Sequence, residues 1–432
     1  MTQMTLHAWI AYIDLIHTKA IDMGLERADR VRRALGLAPS CPLITVGGTN
    51  GKGSTCAFLE AILTAAGYRT GVYTSPHLLR VNERIHIGGQ EIEDSDFCAA
   101  LAQVEAARGQ VPLTYFEFMT LAAMVAFGNA RVDVAILEVG MGGRLDAVNV
   151  FDADCAIITS IDLDHTEYLG SDREAIAREK VGIFRPGAAA ICGDATPPAA
   201  VVEYAGRIGA GLRQTGRDYG FYMRADDWEY WEAGGLRLTL PAPGLHGSFQ
   251  LTNASCAVAA LQSLKSMLDV GDEAVRQGLQ SAMLPGRFEV WRGSPTVILD
   301  VAHNPQAVVN LAVNLNKRPC AGKTTAVFGI MADKDIAGVI QAVRGCVDRW
   351  FVCDLPPSRA ARSNRLRVEL ECLDSDVMIT EFTSVEDAYL DALASSSPND
   401  RVVVFGSFVT VTEVMLASQR MSNDGAGRVI TL

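Results

Sequence analysis

Leu43-Ile44-Thr45-Val46-Gly47-Gly48-Thr49-Asn50-Gly51-Lys52-Gly53-Ser54-Thr55 opens a stretch that runs to Gly67 and decides the fold. Leu43–Val46 is a short, mainly apolar run, as expected of a strand covered on both faces by helices. Ser54–Ala66 carries a helical pattern that Gly67 closes. Between them, glycines let the backbone turn sharply and aim its N–H groups at an anion. A helix N-terminus adds partial positive charge, and Lys52 adds a full one suited to terminal phosphates. The run departs from the usual phosphate loop: Gly53 separates Lys52 from the first hydroxyl, and Val46 stands where a glycine is expected. A solvated lysine in a glycine-rich turn is the plainer alternative, but it gives no reason for the strand before and the helix after.

Outward from this stretch the same rhythm recurs. Apolar runs at 70–73, 132–139, 155–160 and 188–192 read as strands, and 116–127 and 173–183 as helices. Strands alternating with helices imply an α/β protein with a doubly wound, mostly parallel sheet. Residues 218–240 differ, with Trp228, Trp231 and alternating leucines at 236, 238 and 240, and read as a small antiparallel region. A helix is expected around 253–264. Pro285 and Gly286 mark a domain joint, after which strands at 296–301, 325–330, 350–353 and 401–405 restart the rhythm. The expected organisation is a P-loop domain over 1–288 and a smaller, Rossmann-like α/β domain over 289–432.

Bulk properties narrow the function classes. A chain of 432 residues exceeds one ordinary core. Its formal net charge of −12 argues against nucleic acid or an anionic membrane as the main partner. The ten cysteines form no CxxC pair, and several lie in apolar runs, which fits a reducing, cytoplasmic setting. The first seventeen residues lack a basic leader and read as an amphipathic helix. No apolar run approaches the roughly 20 residues that span a bilayer.

Three polar residues follow predicted strands: Ser75 in Thr74-Ser75-Pro76-His77, Glu138 before Val139-Gly140-Met141-Gly142-Gly143-Arg144, and His165 closing Ile161-Asp162-Leu163-Asp164-His165. In a parallel sheet these ends share one edge with the phosphate loop, where ligands bind. Hydroxyl, carboxylate and imidazole beside phosphates suit Mg²⁺, with water and phosphate oxygens completing the octahedron. Taken singly, Ser75 is equally a turn residue, Glu138 a helix cap and His165 a loop histidine.

GTNGKGST (48–55), YTSPHL (73–78), LEVGMGGRLDA (137–147), SIDLDH (160–165), REKVGIF (178–184), LPGRFE (284–289), DVAHNP (300–305) and GIMADKD (329–335) together resemble the folylpolyglutamate synthase/dihydrofolate synthase family. That family is similar in turn to the Mur ligases of cell-wall synthesis, and the resemblance covers nearly the whole chain. It implies a two-domain ligase with ATP at the joint. Thr49, Asn50, Gly51 and Lys52 would cradle phosphates, and Ser75, Glu138 and His165 would hold Mg²⁺. Asn253, Arg287 and Asp300 would contact ATP, and Lys180 matches a lysine the family carries as a carbamate, which would serve a second Mg²⁺. Judged by its neighbouring residues alone, Lys180 is a surface lysine on a helix.

The implied reaction is amide formation. A carboxylate is a poor acyl donor, so ATP first converts it to an acyl phosphate, which the amine of L-glutamate then attacks. His303 after the Asp300 strand is a candidate to face the acyl phosphate, or else caps the next helix; Lys334 is a candidate for the glutamate carboxylate, or else is solvated. Ser407 and Phe408 are weaker candidates. Asp22-Met23-Gly24-Leu25, Thr114-Tyr115-Phe116-Glu117 and Leu145-Asp146-Ala147 resemble the family's pterin-contact segments. This favours a dual enzyme that takes dihydropteroate as well as folates, although Asp22–Leu25 also reads as a simple turn between helices. A Mur-type ligase is the nearest rival, disfavoured because only 46 residues precede the glycine loop, too few for a nucleotide-sugar domain. A P-loop switch needs neither the second domain nor the polar strand ends. Nothing in the sequence demands more than a monomer.

Overall fold

A computed structural model describes residues 4–423 except 20, 225–226, 248, 292, 357 and 374–376. The described residues fall into two compact units, within Met1–Gly244 plus Gln250–Met283 and within Leu245–Phe249 plus Leu284–Leu432. Among them no helix is long and apolar enough to cross a membrane.

The first unit is built on strands β1 (Leu43–Gly47), β2 (Thr70–Tyr73), β3 (Ile85–Ile87), β4 (Gln90–Glu91), β5 (Val134–Glu138), β6 (Cys155–Ile158), β7 (Ala189–Cys192) and β8 (Gly211–Gln214). They form one sheet in the order β4-β3-β2-β5-β1-β6-β7-β8. From β2 to β8 every pairing is parallel; only β3 and β4 run antiparallel at one end. Every residue of β1 and of β5 is buried, so the central strands are covered on both faces, as their continuous apolar runs require. The order reverses on either side of β1, and ligands bind at such switch points, beyond the carboxyl ends of the strands.

Register fixes what shares that rim. Val46 lies beside Glu138, Gly47 beside Ile158, and Tyr73 beside Leu137. The loops leaving β1, β2, β5 and β6 therefore start at one level. The antiparallel region is a three-stranded sheet of β9 (Tyr219–Met223), β10 (Asp227–Glu232) and β11 (Arg237–Pro241), with Trp228 and Tyr230 buried.

The second unit has its own core around Phe328, Trp350 and Phe405. Its strands β12 (Glu289–Trp291), β13 (Thr296–Leu299), β14 (Thr324–Phe328), β15 (Arg349–Cys353), β16 (Met378–Phe382) and β17 (Arg401–Phe405) follow the order β12-β13-β17-β14-β15-β16. Only β12 is antiparallel. The segments containing Asp300, Lys334 and Ser407 leave the carboxyl ends of β13, β14 and β17, on one edge of this second sheet.

Candidate active site

The phosphate loop is held by packing that only glycine permits. Gly48 has φ 139, and a Cβ there would lie 1.9 Å from Thr159 Oγ1; Gly51 has φ 90, and a Cβ would lie 2.3 Å from Asn253 Oδ1. The loop is then tied from both sides. Thr49 N–H donates to Ser160 O (2.8 Å), Asn50 N–H to Ser160 Oγ (3.0 Å), and Thr159 Oγ1 to Asn50 O (2.6 Å). Two of the four amides expected around the phosphates are thus turned into the protein. The helix Lys52–Ala65 begins immediately after, with Gly51 at its N-cap and no side chain capping it. The first-turn amides of a helix have no intrahelical partner, which makes such an N-terminus suited to an anion.

Two lysines converge on this loop. Lys52 Nζ donates to Gly48 O (3.2 Å) and Thr49 O (3.1 Å), and Lys180 Nζ donates to the same Gly48 oxygen at 2.9 Å. Lys180 is not the surface lysine that its helix alone suggests: it is only 4% exposed. Burial, followed by the charge of Lys52, lowers its pKa to about 7, against the opposing pull of Asp164 and Asp146. A buried amine of that pKa is in substantial part neutral at physiological pH, and only a neutral amine is a nucleophile toward CO₂.

Of the candidate metal ligands, the structure brings Ser75 and Glu138 together: Ser75 N–H donates to Glu138 Oε2 at 2.8 Å, and Glu138 is 4% exposed. His165 follows β6 on the same rim, in the left-handed region at φ 50, and is exposed. Its backbone N–H is fixed by Asp164 Oδ1 at 2.9 Å. Among the described residues no three His, Cys, Asp or Glu side chains gather as a metal-binding group. A buried carboxylate beside a serine, next to the glycine loop, nonetheless fits magnesium, which ordinarily takes few protein ligands and fills its octahedron with water and phosphate oxygens.

Asn253 reaches the loop from the helix Gln250–Ser263. Its Nδ2 donates to Gln250 Oε1 (2.9 Å), and Gln250 Nε2 donates to Ser54 Oγ (3.3 Å). Both side chains are buried, so this helix props the first turn of the loop helix.

The three segments matched to pterin contacts also meet. Arg27, not among the candidate residues, joins two of them. Its Nη1 donates to Asp22 Oδ2 (2.7 Å), and its Nε lies 3.2 Å from each oxygen of Glu117. Glu117 also accepts from Thr114 N–H (2.7 Å) while Thr114 Oγ1 accepts from Glu117 N–H (3.2 Å), a reciprocal cap that starts the helix Tyr115–Ala130. Asp22 is further approached by His17 (3.4 Å) and Lys19 (3.6 Å), so its carboxylate is an anchor in a charge network as well as a candidate contact. Phe116 packs where a side chain on Gly140 would stand, and Met23 lies beside Gly142, which gathers the third segment. Within that segment Leu145 is half-buried and Ala147 is buried. Asp146 is 5% exposed, accepts from Met141 N–H (2.9 Å) and Val148 N–H (3.0 Å), and burial raises its pKa to about 7.

In the second unit Asp300 clips its own surroundings. Oδ2 accepts from Phe288 N–H (2.9 Å) and Oδ1 from Ala302 N–H (2.8 Å); burial raises its pKa to about 6. Arg287 stacks 5.1 Å over the Phe408 ring, and His303 packs against the same ring with centroids 6.2 Å apart. His303 Nδ1 is 2.9 Å from Val301 O. Phe408, a weak candidate in the sequence, is thus the common neighbour of two stronger ones. Lys334 is half-buried in the segment that follows β14.

The chain is similar to known proteins over most of its length. Residues 46–261 match the Mur ligase middle domain, and 286–408 match the Mur ligase glutamate ligase domain. The dihydrofolate synthase/folylpolyglutamate synthase of Escherichia coli (strain K12) is 45% identical over 411 residues, 95% of this chain and 94% of that protein. The structure of E. coli FolC in complex with DHPP and ADP superposes with a TM-score of 0.92 at 44% identity, covering 97% of this chain and 99% of that one. A bifunctional folylpolyglutamate synthase/dihydrofolate synthase with Mn, AMPPNP and L-glutamate bound gives a TM-score of 0.88 at 45% identity, covering 96% and 98%. The chain belongs to the Mur ligase family, and within it to the dihydrofolate synthase/folylpolyglutamate synthases.

Proposed function

We infer that this chain is an ATP-dependent ligase that joins L-glutamate to dihydropteroate, giving dihydrofolate, and adds further glutamates to folates. The observation that carries the reading is one rim holding two kinds of apparatus. A helix N-terminus with Lys52 on the adjoining loop suits phosphates, and the segments gathered by Arg27 suit a flat heterocycle. The carboxylate oxygen of the acid attacks the γ-phosphorus of ATP, the bond to the bridging oxygen breaks, and ADP leaves. The glutamate amine then adds to the acyl carbon, the amine loses its proton, and phosphate departs as the amide forms.

In this reading the first-turn amides and Lys52 hold the triphosphate and offset charge on the transferring group, the dominant form of assistance in phosphoryl transfer. Ser75, Glu138 and His165 are the proposed magnesium ligands, and the ion would supply further neutralisation of the phosphate oxygens. Lys180 is proposed to carry a carbamate; its burial and lowered pKa support this. Asn253 is proposed as a nucleotide contact on the first unit, Arg287 and Asp300 on the second. His303 is offered to the acyl phosphate and Lys334 to the glutamate carboxylate. Cytoplasmic location fits both the demand for ATP and ten cysteines that are all free thiols.

The test is ADP release from ATP and Mg²⁺. Release that requires glutamate together with dihydropteroate or tetrahydrofolate supports the assignment; release that ignores both acids refutes it.

A further inference from the structure

Between the end of β2 and the pterin-side segments stands a guanidinium that no carboxylate among the described residues meets. The Arg84 carbonyl accepts from Thr74 N–H at 2.9 Å, which pins this residue beside Ser75. Its side chain turns toward the other apparatus: Arg84 Cζ lies 5.2 Å above the centre of the Tyr115 ring. Its Nε donates to His77 Nδ1 at 2.8 Å, an acceptor that must be unprotonated. Arg84 is half-buried, yet among the described residues no Asp or Glu pairs with it. Other half-buried arginines of this unit do have such partners: Arg27 with Asp22, Arg108 with Glu105, Arg213 with Glu232.

A partly desolvated guanidinium is costly unless an anion meets it. Its planar fork matches a carboxylate with two parallel hydrogen bonds. Here one edge is occupied by His77, while the terminal nitrogens have no acceptor among the described residues. The position is also informative, because Ser75 lies at the phosphate rim and Tyr115 in a segment assigned to the heterocycle. We propose that Arg84 anchors the carboxylate of the acid substrate, the group to be activated, and thereby sets its position between the ring pocket and the phosphates. His77 and Tyr115 are positioning residues that hold the fork open. This assignment rests on the functional reading above.

The experiment compares pteroate with its neutral carboxamide as ligands, in the absence of ATP and metal, by titration calorimetry on wild type, Arg84→Gln and Arg84→Lys. Charge-assisted hydrogen bonds predict that wild type binds the acid about tenfold or more tighter than the amide. Arg84→Gln is expected to erase that ratio, and Arg84→Lys to restore part of it. In turnover, Arg84→Gln is expected to raise KM for dihydropteroate at least about tenfold, with KM for ATP unchanged. A wild-type ratio near one, or a ratio that survives in Arg84→Gln, overturns the proposal. If Arg84→Gln fails to fold, as judged by circular dichroism, Arg84→Lys decides: an acid preference as large as that of wild type overturns it, and a reduced one supports it. Wild-type turnover of dihydropteroate with glutamate and ATP judges the functional reading separately, since its absence refutes that reading whatever the binding ratio shows.

Discussion

The phosphate rim and the pterin-side cluster lie on the same unit but are made in opposite ways. The rim is backbone: four parallel strands end at one level, and a glycine turn follows one of them, so amides and carbonyls do most of the holding. The pterin side is side chain: Asp22 and Glu117, 95 positions apart by their numbers, are bridged by the Arg27 guanidinium. A backbone device is fixed by the strands that carry it and by the glycines that let it turn. A charge network depends on every member, because removing one leaves a buried partner unsatisfied.

That contrast is broken most severely at Lys52. Lys52→Ala removes the cation proposed to meet the phosphates, and kcat is expected to fall on the order of 10³-fold while the melting temperature stays near wild type, since the side chain bonds only to loop carbonyls. A variant with wild-type turnover would remove the phosphate assignment. Glu138→Gln comes next. It keeps an oxygen to accept from Ser75 N–H but loses the negative charge, so activity is expected to fall on the order of 10²-fold, with a rise in the Mg²⁺ concentration needed for half-maximal rate. An unchanged metal titration would count against Glu138 as a ligand.

Lys180 sharpens the comparison through pH, because it is a buried side chain within the backbone-built region. Its folded pKa is lowered to about 7, so between that pH and its ordinary value of 10.5 the unfolded chain holds a proton that the folded one does not. Folding is therefore penalised in full below about pH 7, and the penalty is relieved as pH rises toward 10.5. Lys180→Met is expected to exceed wild type in stability at about pH 6 and to lose that advantage progressively by about pH 9, in denaturant melts run in parallel. A gap that stays constant across that range would show that the amine is not depressed.

What can be read from the chain follows the same division. The strands expected from apolar runs, β1, β2, β5, β6 and β7 in the first sheet and β13, β14, β15 and β17 in the second, are all interior to their sheets. The strands outside those runs are the edges β4, β8, β12 and β16, together with β3 beside an edge. An edge strand has one face or one side in water, so its composition is mixed; β16 has no fully buried residue. The loop Gly48–Lys52 is likewise legible because its glycines and its lysine lie in one consecutive run where a strand gives way to a helix. Arg27 is not: nothing local marks an arginine that pairs with Glu117, and only the fold brings the two together. The helix of Lys180 points to a solvated amine, whereas a loop 132 positions earlier buries it.

The smallest expected effect tests whether the pterin side really works as a network. Arg27→Gln leaves the carboxylate of Glu117, 4% exposed, without its cation, and it also frees Asp22. Loss of roughly 1–3 kcal/mol of stability is expected, together with a fall of about tenfold in kcat/KM for dihydropteroate. Asp22→Asn is milder, because its amide oxygen still accepts from Arg27, and Asp22 is 29% exposed. A change of only about twofold to fivefold is expected there, larger for dihydropteroate than for tetrahydrofolate. In the double variant the two losses should fall short of their sum, since Asp22 acts partly through Arg27. Strict additivity in that cycle would mean that the two residues contact the substrate independently and that the bridge seen between them is incidental.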